Sequence, residues 1–301
     1  MTTPNERTAE KLFGADGVQL LDAARVLVDD FEQHPIRYSY MDPQAFEQLS
    51  WKDSSAGQKI YWEEMLRRAH FAAAASVIRA YRWCGGMMMG YSQGLFLPFC
   101  ASFRALIESA ADGYDVLRHV AVTLAECRNT VNPIIQLKSD VRFSNVLLIA
   151  KELEDSLIHF SHARKLTKGE VAPESHKAKT AAEYVKSLEQ QSVPGLYDCY
   201  SELCQFTHPA AHSVGHLLVP ESQTDFVLVP AHDEKRIEHL IKARQKLVVP
   251  LFMSAFNPGA LALKVLLHFD VPQLHTPAIR RMNLRGLPGW RKYAAKMDVE
   301  P

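Results

Sequence analysis

The stretch IEHLIKARQKLVVPLF, Ile237 to Phe252, sets Ile237, Leu240, Ile241, Val248 and Phe252 three, four or seven residues apart. That spacing puts all five side chains on one face of an α-helix and leaves charged residues on the other. The same rhythm recurs in Val18, Leu21, Ala24, Val28 and Phe31, and again in Phe143, Val146, Leu147, Ala150, Leu153, Leu157 and Phe160. A chain that carries this signal along its length predicts an all-α fold, a helical bundle whose core is made of such stripes.

Working outward from that stretch, Pro250 predicts a kink, with helices over 233–255 and about 258–268. Just upstream, HLLVPESQTDFVLV (216–229) holds two short β-prone runs around a polar turn and predicts one small late hairpin. The helix signal Asp42-Pro43 opens a short helix, and Asp53 or Ser54 caps a long one through EEMLRRAHFAAAASVIRAYRW. The glycines of GGMMMG predict a turn into the next helix, about Ser92 to Cys127, with Pro98 setting a kink or the true start. Residues 164–180 read as an exposed loop, and 181–191 as a helix that Pro194-Gly195 separates from LYDCYSELCQF. The resulting segmentation is an N-terminal helical part (1–50), a bundle core (53–270) and a basic C-terminal tail (271–301).

Lys and Arg total 34 and Asp and Glu total 34, which disfavours a protein that coats nucleic acid without specificity. The charge is unevenly spread. Residues 1–50 carry nine acids and four bases, whereas Thr276 to Met297 carries six bases and no acid, either a self-docked end or a strip for an acidic partner or an RNA backbone. Five cysteines without a CxxC pair read as reduced core residues, and MTTPNERTAEKLF lacks the basic start and apolar run of a secretory signal, so a cytoplasmic location is expected. The segment between Arg82 and Arg104 has no charge, but its four glycines and Pro98 favour a buried core helix over a membrane span.

The stretch QFTHPAAHSVGH places His208, His212 and His216 four residues apart, the spacing of a metal-binding helical face. Pro209 pushes His208 out of the α region, so the helix should end at Thr207 or His208 and a fresh turn begin at Pro209; Gly215 detaches His216. The chain has no HExxH, no GxGxxG, no GxxxxGK[ST] and no GxSxG. No metal or cofactor is therefore expected in the leading reading, and a metal held by Glu108, Asp112, His208 and His212 is the weaker alternative. Arg104, Glu108 and Asp112 recur every four residues in FRALIESAADGYDVLRH and share a face. They form a structural ion pair there, or they project beside the histidines, where Glu108 orients an imidazole and Arg104 binds a phosphate. Ser201, Cys204 and the triplet Met87 to Met89 read as packing residues.

A helix with RALIESAADGY, followed about a hundred residues later by YSELCQFTH and a hairpin, resembles the uncharacterised bacterial branch of the HEPN-like superfamily over roughly 90–255. The resemblance implies a helical bundle, often dimeric, acting in toxin–antitoxin, CRISPR or phage-defence systems as a metal-independent ribonuclease. In that family an arginine precedes the active histidine by four to six residues. Here Ser201 to Thr207 contain no arginine, so Arg104 would have to supply it from another helix. The expected centre is His208 with His212, Arg104 and Glu108, and Tyr200, Arg280 and Arg281 contact substrate. RNA, a second copy and a protein docked on the basic tail are the expected partners, with no membrane. The competing reading is a non-catalytic binding or scaffold protein: an antitoxin, a sensor or an oligomeric partner.

Overall fold

The computed structural model describes residues 4–138, 143–229 and 233–300. Among them are eleven α-helices and one hairpin: α1 (Pro4–Gln33), α2 (Pro43–Lys52), α3 (Ser54–Ser92), α4 (Phe96–Ile135), α5 (Phe143–His162), α6 (Ala181–Gln191), α7 (Leu196–Thr207), α8 (Ala211–Gly215), β1 (Leu218–Pro220), β2 (Phe226–Leu228), α9 (Asp233–Leu266), α10 (Pro277–Arg281) and α11 (Pro288–Lys296). The fold is all-α with a small late hairpin, as the apolar stripes predict. The two strands are antiparallel, with Leu218 opposite Leu228 and Pro220 opposite Phe226.

Two compact units emerge, each assembled from three separated stretches of sequence. The first gathers the described parts of Met1–Arg25, Ile78–Asp112 and Thr180–Phe256; the second gathers those of Val26–Val77, Gly113–Lys179 and Asn257–Pro301. In the first, Phe13 packs on Phe252 at 5.0 Å between ring centres. Phe99, Phe103, Leu106, Leu196, Leu203 and Ile237 fill the same interior, all nearly inaccessible to water. Ile237, Leu240, Ile241, Val248 and Phe252 are every one buried, so the stripe that opens the sequence reading is a core face. In the second unit Trp62, Leu66, Val77, Leu124, Leu157 and Phe269 play that part.

Several boundaries differ from expectation, each for a local reason. GGMMMG lies inside α3, not at a turn. Its glycines make room for the next helix: a Cβ on Gly90 would sit 2.9 Å from the Phe99 backbone, and one on Gly86 would sit 2.7 Å from Ser102 Oγ. The turn comes later at Gly94, whose φ of 60° suits glycine, and α4 therefore starts at Phe96 with Pro98 in its first turn. Of the three methionines, Met87 is buried and Met89 is 67% exposed, so only the first is core. The apolar segment from Arg82 to Arg104 is accordingly split between two helices and does not form one span.

The break expected between 255 and 258 is absent as well. α9 runs as one helix from Asp233 to Leu266, through both Pro250 and Pro258. A proline inside a helix costs about 3 kcal/mol, and burial of Leu251, Phe252, Ala262 and Leu263 offsets it. α9 is long and apolar enough to cross a membrane, but its most apolar window is 67% buried in the protein, as befits a core helix. The expected irregular tail is instead ordered. It docks through buried Leu274, Ile279, Trp290, Ala294 and Met297, and leaves Arg280 and Arg281 exposed.

Candidate functional site at the end of α7

Pro194 and Gly195 interrupt the chain, Gly195 taking a left-handed φ of 81°, and α7 starts directly after it. Leu196, Cys199, Tyr200 and Leu203 recur at helical spacing and anchor its buried face. The helix stops where Pro209 forbids its continuation: His208 is extended, with φ −98° and ψ 157°, while its N–H still donates to Cys204 O at 3.0 Å. His208 therefore leaves the helix axis and stands exposed at the helix end.

α4 brings Arg104 to that point. Its Nε donates to Glu108 Oε1 at 2.9 Å, one turn along the same helix. Its Nη1 donates to Thr207 Oγ1 at 2.9 Å and meets His208 Nε2 at 3.2 Å. A guanidinium has only donors, so His208 Nε2 accepts, which makes the ring the neutral Nδ1–H tautomer in this arrangement. The Thr207 hydroxyl itself donates to Leu203 O at 2.9 Å. The side chains of Arg104 and Glu108 are about one quarter and one third exposed, at 24% and 30%. Burial works against the Arg104 charge, but the hydrogen bond and negative charge of Glu108 outweigh it and the pKa is raised. A fixed cation thus touches an exposed imidazole, an arrangement able to bind an oxyanion and exchange a proton beside it.

Tyr200 lies about two turns before Thr207 and is only 8% exposed. Burial raises its hydroxyl pKa, and a hydrogen bond with the Cys204 thiol adds to the effect. It underlies the cluster and offers little surface to a ligand.

The other expected residues fall elsewhere. The fresh turn does not begin at Pro209: α8 starts at Ala211, where Ser213 Oγ both accepts from Ala210 N and donates to Ala210 O. His212 is exposed on α8 with its ring against the edge of Phe206, 6.2 Å between centres, and has no contact with Arg104. His216 lies against Phe96 at 5.3 Å. Pro209 separates His208 from the other two, as expected, but Gly215 does not detach His216: His216 caps α8 in helical conformation and its N–H donates to His212 O at 3.3 Å. Asp112 binds Arg79 Nη1 at 2.7 Å, and among the described residues no group of three or more His, Cys, Asp or Glu is placed to hold a metal. The four-ligand alternative is thereby removed. Arg280 and Arg281 belong to the second unit, where Arg280 Nη2 approaches His275 Nδ1 at 3.4 Å.

Thr207 is the member that sequence reasoning missed. Its signal was available, since a hydroxyl at the last helical position next to an extended histidine is well placed to accept from whatever binds that histidine. Comparison with family models, curated proteins and solved structures returned no match.

Proposed function

We propose that the chain is a cytoplasmic, HEPN-like helical protein of stress or antiviral defence that cleaves RNA without a metal at His208. One observation carries this reading: Arg104, expected to stand in for the missing arginine before His208, lies 3.2 Å from His208 Nε2. In the mechanism that suits these groups, the substrate phosphate draws Arg104 off Nε2 and frees the lone pair. His208 then takes the proton of the 2′-hydroxyl as that oxygen bonds to phosphorus. The bond from phosphorus to the 5′-oxygen breaks, water protonates that oxygen, and the proton on His208 returns to solvent. A 2′,3′-cyclic phosphate and a 5′-hydroxyl result. Arg104 steadies the charge on the phosphorane, and Glu108 keeps the guanidinium plane aimed while it does so. Exposed Arg280 and Arg281 are proposed as phosphate contacts in the second unit, and a second copy as the assembly partner.

The test is cleavage of a labelled single-stranded RNA on a denaturing gel. Wild-type protein should cut in the presence of EDTA, and His208→Ala should lose about 10²- to 10⁴-fold in rate with an unchanged circular-dichroism spectrum. Equal cutting by His208→Ala would remove His208 from the mechanism. One observation favours the competing reading of a binding or scaffold protein. Arg104, Glu108, Thr207 and His208 already satisfy one another, as a purely structural clamp would. Wild-type protein that never cuts RNA would decide for that reading.

A further inference from the structure

Beside the end of α7, the first unit contains an open cleft of about 400 Å³ that is distinct from the Arg104–His208 pair. One wall is aromatic. Phe96 and Phe206 meet edge to face at 4.9 Å, and His216 packs on Phe96 at 5.3 Å. α9 also lines the cleft, with Lys235, His239 and Ala243 recurring every four residues alongside Arg236, Leu240 and Arg244. From Lys235 to Arg244 the helix rises about 14 Å, so the cleft is longer than a single ring.

Its charges are not equivalent. Arg244 is held by Glu202 through Nε at 3.0 Å and Nη2 at 2.6 Å, and Arg236 by Asp233 at 3.0 Å. Lys235 and His239 are exposed and make no hydrogen bond or ion pair among the described residues. Phe206, Val219, Leu240 and Ala243 make much of the lining apolar, and Lys235 is its uncommitted cation. Three cations against one acid line the space.

We propose that this cleft binds a small planar ring bearing an anionic group, a molecule of about mononucleotide size. The ring lies between Phe206 and the Leu240–Ala243 turn of α9, where burial of two apolar faces is favourable. The anion reaches Lys235 and the N–H of His239, which need break no existing bond to receive it. A phosphate and a carboxylate would both satisfy that end. This site does not depend on RNA cleavage at His208.

Isothermal titration calorimetry on the full chain tests the proposal with adenosine 5′-monophosphate, indole-3-acetate, adenosine and inorganic phosphate as probes. Saturable binding of one ring anion is expected, with adenosine and inorganic phosphate each at least tenfold weaker. The phosphate or the carboxylate probe, whichever binds, identifies the anionic group. Two substitutions at exposed positions leave the core untouched: Lys235→Glu should weaken binding at least tenfold, and Ala243→Trp should block it by filling the cleft. The proposal is overturned if neither ring anion binds, if adenosine binds as well as its monophosphate, or if Ala243→Trp binds like the wild type.

Discussion

His70 offers a stringent test of the second unit through pH. It is completely buried, its Nδ1 receiving the Tyr38 hydroxyl at 2.7 Å and its Nε2 meeting Thr276 Oγ1 at 3.1 Å. Burial lowers its pKa from 6.5 to about 4. The unfolded chain therefore binds a proton that the folded chain refuses between those two values, and stability must fall as the solution is acidified through that window. The contribution is fully present above pH 6.5, falls by about 2 kcal/mol at pH 5 and by about 3 kcal/mol below pH 4. His70→Gln removes the titration while keeping a donor and an acceptor at the position. Urea unfolding of both proteins between pH 7 and pH 4 isolates the term, because every other titrating group is common to the pair. The wild type should lose more stability than His70→Gln on acidification, by about 2 kcal/mol at pH 5. Parallel curves for the two proteins would refute the buried neutral imidazole.

Three further substitutions probe the first unit. Arg104→Lys keeps the charge but cannot reach Glu108, Thr207 and His208 together, and should cost about 1–2 kcal/mol in chemical denaturation as well as any RNA cleavage. Thr207→Val removes one acceptor of Arg104 and leaves the helix intact, so its loss of stability should stay near 1 kcal/mol, measured as a shift of the urea midpoint. Gly90→Ala forces a Cβ to within 2.9 Å of the Phe99 backbone; thermal unfolding should show a lower Tm, corresponding to about 1–3 kcal/mol, and an unchanged Tm would mean that α3 and α4 do not approach as closely as described.

The helices were legible because a buried stripe constrains every third or fourth residue, and Ile237 to Phe252 obeys that constraint along its length. The end of α7 was legible because Pro209 acts on its immediate neighbour. What escaped was the effect of distant packing on residues that usually break helices. Gly86 and Gly90 read as turn formers until Ser102 and Phe99 come against them, and Pro258 reads as the start of a new helix until the burial around it is known. The site was half legible: Arg104 and His208 were both named, but they are 104 residues apart in sequence, and no local pattern reports that they touch. Thr207, between a buried leucine turn and a histidine, looked like ordinary helix. The fates of Asp112 and His212 likewise depended on partners from outside their own helices, Arg79 and Phe206.

The interleaving of the two units has a consequence for how the chain is made. Synthesis delivers residues in order, yet the first unit needs Phe13 from the beginning and Phe252 from far downstream to close its interior. The second needs Trp62 together with the stretch that carries Ile279 and Trp290. Neither interior can close while the ribosome is still adding the residues that follow α7. Until then α1, α3 and α4 hold apolar faces without their final cover, so their nascent forms are natural clients for chaperones. By the same logic, cutting the chain at Val271 does not merely trim a basic appendage, because it removes buried side chains from the second unit.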